Sequence, residues 1–328
     1  MQRLSILLAA ALTGSASHTA FASPCPADID RNDMVNVDDL LSVIGQWGGC
    51  AAPCEADVDA SGSVGVGDLL VVLDHWGACP DSDSRLIFVQ DFEHRKVGPY
   101  DEAMLDADWN DPAWSGGVDD GRVSVVEIEG NKALAVRYPE GEYGTSQTGA
   151  QWKLMFDDSH QQVRLTYRIR FVDPFDFVRG GKLPGLIGGA GNTGGGVPDG
   201  TDGWSARMMW RSEGAAVQYV YHPDQPQHYG EDLPWTDDGA PIRFEPGRWH
   251  EVVHEIRMNT PGLNDGSIIC RMDGVTVLER DGMRFRDVDS FAIDGMYFST
   301  FFGGGSSSWA TTGDETILFD DFRIEMIP

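Results

Sequence analysis

The chain has 328 residues and a formal net charge of -28, with 52 acidic side chains against 24 basic ones. That balance excludes a nucleic-acid partner, whose phosphates need a basic surface, and the length accommodates one small module and one domain of sandwich size. An acidic ligand would need basic groups gathered locally against the field of the whole protein.

Arg3 precedes an apolar run from Leu4 to Leu12, and Ala20-Phe21-Ala22 stands ahead of Ser23. This is the layout of a secretory signal peptide over residues 1–22. The run is too short to cross a bilayer, and no other segment approaches the ~20 apolar residues that a span requires. The expectation is an exported protein, secreted or periplasmic, without a membrane span.

Residues 23–80 hold a repeat. "CPADIDRNDMVNVDDLLSVIGQWGGC" and "CEADVDASGSVGVGDLLVVLDHWGAC" superpose at a constant offset of 29, which brings Asp28 onto Asp57, Asp39 onto Asp68 and Trp47 onto Trp76. Oxygen side chains at loop positions 1, 3, 5 and 12 are the pattern by which a short loop surrounds calcium. In the first repeat these are Asp28, Asp30, Asn32 and Asp39, with Asn36 at position 9. The second offers Asp57, Asp59, Ser61 and Asp68 but has Gly65 at position 9, so weaker binding is expected there. An apolar helical run follows each loop, and no room is left for an entering helix. The pair resembles a dockerin-type calcium module, which implies Ca2+ as its ion and a cohesin-like protein as its partner; a metal-free acidic repeat is the alternative. Cys25, Cys50, Cys54 and Cys79 all lie in this module, an even set in an exported chain that reads as disulfides. Three connectivities are possible, and Cys25–Cys50 with Cys54–Cys79 keeps each bridge inside one repeat. The short polar stretch 81–84 is a linker.

From residue 85 to 328 there is no long helical periodicity. Short runs alternate with period two, among them "RLIFVQDFE", "VRLTYRIRFV", "HEVVHEIRM" and "ILFDDFRIEMI", separated by Gly- and Pro-rich turns. This pattern predicts an all-β sandwich of the jelly-roll kind, with the first and last runs side by side. Cys270, in "GSIICRMDGV", is expected as a buried strand residue. The pair His250 and His254 has strand composition around it and lacks the helix that a zinc pair at that spacing requires. No E-x-D-x-x-E run of a retaining glycosidase occurs.

One hairpin concentrates the chemistry. "SARMMWR" and "VQYVY" are joined by "SEG", a three-residue loop with Gly214 at the position that needs positive φ. In that register Ser205 lies opposite Tyr221, Arg207 opposite Tyr219 and Met209 opposite Val217, all on one face. A two-residue loop would separate Arg207 from Tyr219, and a solvated polar face is the competing explanation. Upstream, Lys182 stands between a glycine pair and Leu-Pro-Gly. Gly189–Gly194 matches G-x-G-x-x-G without a strand-to-helix context, so it is read as a mobile lip over a cleft rather than a nucleotide site.

The motifs "GGKLPGLIGG", "GWSARMMWR", "YVYHPDQ", "GRWHEVVHEIRMNTPGLNDG" and "YFSTFFGGGSSSWA", in this order, resemble the family 14 polysaccharide lyases, jelly-roll enzymes of the alginate-lyase type. The resemblance covers nearly all of residues 85–328 and leaves the N-terminal module out. It implies β-elimination on an acidic polyuronide, alginate first and glucuronan as the alternative, with Lys182, Ser205, Arg207, Tyr219 and Tyr221 as the functional positions. A non-catalytic carbohydrate-binding jelly roll is the rival of another class. In the elimination, Lys182 and Arg207 neutralise the substrate carboxylate, Tyr219 and Tyr221 move the protons in either order, and Ser205 donates a hydrogen bond. A phenol beside Arg207 is expected to titrate below its ordinary value. Arg211 and Arg179 extend the basic patch, Gln225 is a further substrate contact, and no cofactor is expected for catalysis.

Overall fold

The computed structural model describes residues 25–30, 34–49, 54–59, 61–78 and 85–327. The signal-peptide reading, the linker 81–84, and Asn32, Cys50 and Cys79 fall outside the described residues. The chain divides into two compact units at residues 84 and 85. No helix among the described residues is long and apolar enough to cross a membrane.

The small unit is two copies of loop and helix. Helix α1, Val37–Gly45, starts at Asn36, whose side chain accepts from the Asp38 amide at 2.7 Å while Asp39 Oδ2 accepts from the Asn36 amide at 2.9 Å. Helix α2, Val66–Asp74, starts at Gly65, where Asp68 Oδ2 accepts from the Gly65 amide at 2.7 Å. Each helix therefore uses the last acid of its loop as the returning half of a cap. Met34–Val35 pairs with Gly77–Ala78 and Gly48–Gly49 with Ser63–Val64, so each repeat completes the other's two-stranded ladder. Matching residues of the two copies, Ala27 and Ala56, Val35 and Val64, Val43 and Val72, form one small core. The opposite faces of the helices leave Val37, Leu41, Ile44 and Trp47, and their counterparts Val66, Leu70, Leu73 and Trp76, exposed.

The large unit is a two-sheet sandwich of fourteen longer strands among the described residues. In chain order they are β1 (Leu86–Gln90), β2 (Val123–Ile128), β3 (Asn131–Tyr138), β4 (Ala150–His160), β5 (Gln162–Phe171), β6 (Gly180–Gly189) and β7 (Gly203–Arg211). The remainder are β8 (Ala216–Tyr221), β9 (Glu231–Pro234), β10 (His250–Arg257), β11 (Gly266–Met272), β12 (Val275–Met283), β13 (Ile293–Phe302) and β14 (Glu315–Met326). One sheet runs β9-β8-β7-β6-β13-β4 and ends on the short strand Ser115–Gly116. The other runs β12-β11-β10-β5-β14-β3-β2 and ends on Gly98–Pro99, with β1 also pairing β14. The first and last runs of the domain do lie side by side, Phe322 opposite Gln90.

Period-two patterning places the core. Along β5, Val163, Leu165, Tyr167, Ile169 and Phe171 are buried while the intervening Arg and Thr side chains point outward. Along β7, Trp204, Ala206, Met208 and Trp210 enter the same core. Trp152 and Phe298 of one sheet stack at 4.0 Å between centroids, and Phe298 meets Phe319 of the other at 5.1 Å. Cys270 is buried in this core, with its Sγ 3.4 Å from the Gln218 side-chain oxygen.

Asp320 on β14 is only 2% exposed, and its carboxylate accepts from the Asp321 amide at 2.8 Å. Burial, and then the neighbouring Asp321 charge, push its carboxyl up to about 7. The folded state therefore holds a proton that the unfolded chain releases near pH 4, so this group's contribution to stability is present below pH 4 and is lost as pH rises through 7. The slope is at most about 1.4 kcal/mol per pH unit. Asp320→Asn is expected to be more stable than the wild type at pH 8 and to lose that advantage at pH 4 in urea denaturation; parallel curves would show that Asp320 is ionised at both.

Candidate active site

The β7–β8 hairpin has the three-residue turn Ser212–Gly214, in which Glu213 and Gly214 both have left-handed backbones with φ of 59° and 77°. Its register is Ser205 opposite Tyr221, Arg207 opposite Tyr219 and Met209 opposite Val217. Met209, Val217, Tyr219 and Tyr221 pack together on the face away from the core. Strand β6 places Lys182 opposite Met209, with Nζ 2.7 Å from the Met209 sulfur and 3.7 Å from the Tyr219 ring centroid. The five residues singled out in the sequence therefore share one face. That face is not a solvated one: Arg207 is 3% exposed and Lys182 9%.

No carboxylate pairs with Arg207 or Lys182 among the described residues. Arg207 Nη1 donates to Ser299 Oγ at 3.1 Å, its guanidinium lies 5.1 Å from the Tyr297 ring centroid, and its buried Nε has no partner. A buried guanidinium and a buried amine without an acid form a site whose energy falls when an anion enters. Burial works against the Arg207 charge, and burial with the Arg207 and Arg211 charges holds the Lys182 amine well below its ordinary value. The expected fall of the Tyr219 titration is reversed. Burial and the Tyr221 hydroxyl raise it above the usual phenol value, and the opposing pull of Arg207 and Arg211 is smaller.

Several expected contacts are committed elsewhere. Arg211 forms a two-point ion pair with Asp232, through Nε at 2.9 Å and Nη2 at 2.5 Å, so it is not an open anion grip. Arg179 is exposed, lies 5.0 Å from the Trp309 ring centroid and donates to Ser308 Oγ at 2.8 Å. Gln225 organises its own loop, its amide nitrogen facing the Gln227 carbonyl at 2.7 Å and its oxygen accepting from the His222 amide at 3.3 Å. Ser205 Oγ donates to the Asn192 carbonyl at 2.7 Å, so its proton goes to the lip rather than to the cleft. The lip itself is fastened: the Gly195 amide donates to Tyr221 Oη at 3.1 Å, and Lys153 Nζ to the Ala190 carbonyl at 2.8 Å. His250 is engaged by Asp273 at 2.9 Å and His254 is buried beside Tyr167 and Trp235.

The Polysaccharide lyase 14 family model matches residues 127–322, more than half of the chain and all five of these positions. The chain belongs to the polysaccharide lyase 14 family. It is a polysaccharide lyase, and solved structures agree. The alginate lyase Aly36B is 27% identical with a TM-score of 0.64, the match covering 73% of this chain and 96% of that one. The PL-14 alginate lyase from Aplysia kurodai is 27% identical with a TM-score of 0.63, covering 74% and 99%. A variant of Aly36B with one lysine and one tyrosine replaced by alanine, in complex with an alginate tetrasaccharide, is 26% identical with a TM-score of 0.65, covering 73% and 96%. Among curated proteins nothing matches.

The same face also carries residues that sequence reasoning missed. Tyr297 and Ser299 on β13, and Gln151 and Lys153 on β4, face the same cleft, with Tyr297 Oη donating to Gln151 at 2.8 Å. Period two along "YFSTFF" marks Tyr297 and Ser299 as one face, but nothing local says that this strand lies beside β6. Gly185, between Arg207 and Tyr297 in the cross-strand register, leaves the gap that the guanidinium crosses. A Cβ there would stand 2.2 Å from the Ala206 carbonyl oxygen and 2.5 Å from Arg207 Cα. Gly185→Ala must push β7 away, and overpacking of this kind costs roughly 1–3 kcal/mol. Thermal unfolding at a lower temperature together with lost lyase activity is the expected result; an unchanged melting temperature would mean that the strands part freely.

Proposed function

We propose that this lyase cleaves an acidic polyuronide, alginate first, by β-elimination, with glucuronan as the comparison substrate. The observation that carries the reading is the pair of buried basic side chains, Arg207 and Lys182, without an acid. The alginate named with the similar solved enzymes supports the same polymer. The uronate carboxylate enters against the Arg207 guanidinium, with the Lys182 amine as a further donor, and the guanidinium disperses its charge and makes the C5 proton acidic. That proton passes to an acceptor, its electron pair forms the C4–C5 double bond, the C4–O4 bond breaks, and O4 takes a proton from a donor.

Tyr219, held protonated by its burial, supplies the proton to O4. Tyr221, whose oxygen receives the Gly195 amide, accepts the C5 proton. A second acceptor has support in the position of Lys182, whose buried amine between two arginines favours the uncharged form. Tyr219→Phe is expected to lose about 10²–10⁴-fold in kcat, the usual worth of a general acid, read as absorbance of the unsaturated uronate product. Because a protonated Tyr219 is required, the alkaline limb of the wild-type rate profile should lie above the ordinary phenol value of about 10. Full activity in both Tyr219→Phe and Tyr221→Phe would remove the tyrosines from the chemistry. Rescue of Lys182→Ala by added methylamine, with Tyr221→Phe active, would give the acceptor role to Lys182.

In the small unit, Asp28, Asp30 and Asp39 bring carboxylate oxygens within 4.8 Å of one another, as do Asp57, Asp59 and Asp68, a donor set that fits Ca2+. Asn36 does not join the first set, because its side chain caps α1 and bonds the Met34 carbonyl. The reason for tighter binding in the first loop is thereby lost. Ser61 Oγ donates to the Ser63 carbonyl at 3.0 Å, and its amide bonds Asp57 and Asp59. Calorimetry on the full chain is expected to show two calcium equivalents, with Asp39→Asn and Asp68→Asn each losing one. No calcium-dependent heat in the wild type would leave these loops as metal-free acidic turns. The same proposal includes export through residues 1–22, bridges Cys25–Cys50 and Cys54–Cys79, and a cohesin-like partner on the exposed apolar faces of α1 and α2.

A further inference from the structure

The cleft face continues beyond the residues assigned to the elimination. Strand register sets Tyr219, Arg207, Gly185, Tyr297 and Lys153 in a single row across β8, β7, β6, β13 and β4. Neighbouring strands lie about 4.8 Å apart, so the row runs roughly 14 Å along the backbone from Arg207 to Lys153, while the Arg207 guanidinium leans over the Tyr297 ring, 5.1 Å from its centroid. Lys153 forms no ion pair among the described residues, and its Nζ lies 5.6 Å from the Tyr297 ring centroid. In a unit as acidic as this one, a lysine without an acid partner, its Nζ donating only to the Ala190 carbonyl at 2.8 Å, in line with the buried Arg207 gives the row a basic direction. The row ends at Trp114, just before the edge strand Ser115–Gly116, with its ring set edge-on to Tyr297 at 6.0 Å and 83°. Trp114 is 42% exposed, an apolar plane left in water at the end of that row. It lies outside the span 127–322 that the family model matches.

We propose that Lys153 and Trp114 form an outer subsite for the same polymer, Lys153 holding the carboxylate of a uronate one or two residues from the cleaved bond and Trp114 stacking a pyranose ring. The inference rests on the polyuronide reading and adds the direction of the chain, across the strands from β8 toward β4. A charged contact and a flat apolar platform are the two things that a uronate offers to bind, its carboxylate and the C–H face of its ring. Both groups lie on the side of Tyr297 toward β4, so they act on substrates long enough to reach past Tyr297 and spare shorter ones.

The test uses the full chain and a ladder of polyuronide oligosaccharides, with turnover and calorimetric binding measured on each length. Trp114→Ala is expected to lower kcat/KM about tenfold on polymer and hexasaccharide, equivalent to about 1.4 kcal/mol, through KM and Kd with kcat unchanged, and Lys153→Ala to lose more on those lengths than on the shortest cleaved oligosaccharide. Trp114→Ala should turn over that shortest substrate as the wild type does, and Trp114→Phe should recover most of the loss. Equal losses at every length would mean that Lys153 acts by holding the lip at Ala190, and would overturn the subsite. Wild-type behaviour of both variants at every length would overturn it while leaving the elimination reading intact. A wild type that neither binds nor cleaves any polyuronide would remove both.

Discussion

The register of the β7–β8 hairpin is the constraint on which the cleft depends. Side chains alternate faces, so a slip of one residue would carry Arg207 into the aromatic core and turn Trp204, Met208 and Trp210 toward the substrate. The turn allows one pairing, because two consecutive residues, Glu213 and Gly214, adopt left-handed backbones that give it three residues rather than two. The core holds it from the other side, with Trp210 against Phe171, Tyr138 and Phe302. Burying an unpaired guanidinium is unfavourable, and the apolar packing on the opposite face of the same strand offsets that cost.

The electrostatics of the cleft follow from that arrangement. The protein is strongly acidic overall, yet carboxylates hold Arg211 and many outer arginines and leave Arg207 and Lys182 open. Burial then acts in one sense, against charge, on Arg207, Lys182, Tyr219 and Tyr297. It lowers Lys182 and raises Tyr219 and Tyr297. Before substrate arrives, burial thus favours the neutral forms of Tyr219, Tyr297 and Lys182 around one persistent guanidinium charge. An anion entering the cleft changes the balance by supplying the missing partner.

The lip gains a different meaning from the same contacts. Its glycines permit the turns that lay backbone over the sheet, and Gly195, at φ 91°, stands so close to His228 that a Cβ would meet Nε2 at 2.6 Å. Ser205 and Tyr221 hold it down from below. Two of the five side chains of this face therefore spend a polar group on shaping the cleft wall as well as facing it.

Much of this was legible in the chain. The 29-residue repeat marked two matching loop-helix units, and period-two alternation marked the sandwich. A three-residue "SEG" turn sufficed to place Arg207 beside Tyr219, because hairpin pairing is local and depends only on turn length and alternation. The motifs in order pointed to the lyase family. Sequence could not show that Arg211 meets Asp232, that Asn36 caps a helix, or that β13 and β4 bring Tyr297 and Lys153 to the same row. Those are contacts between side chains or strands whose meeting depends on the order of strands in the sheet. Nor could it give the direction of the Tyr219 shift, since a charge partner is visible in a hairpin register, whereas burial is a property of everything packed around it.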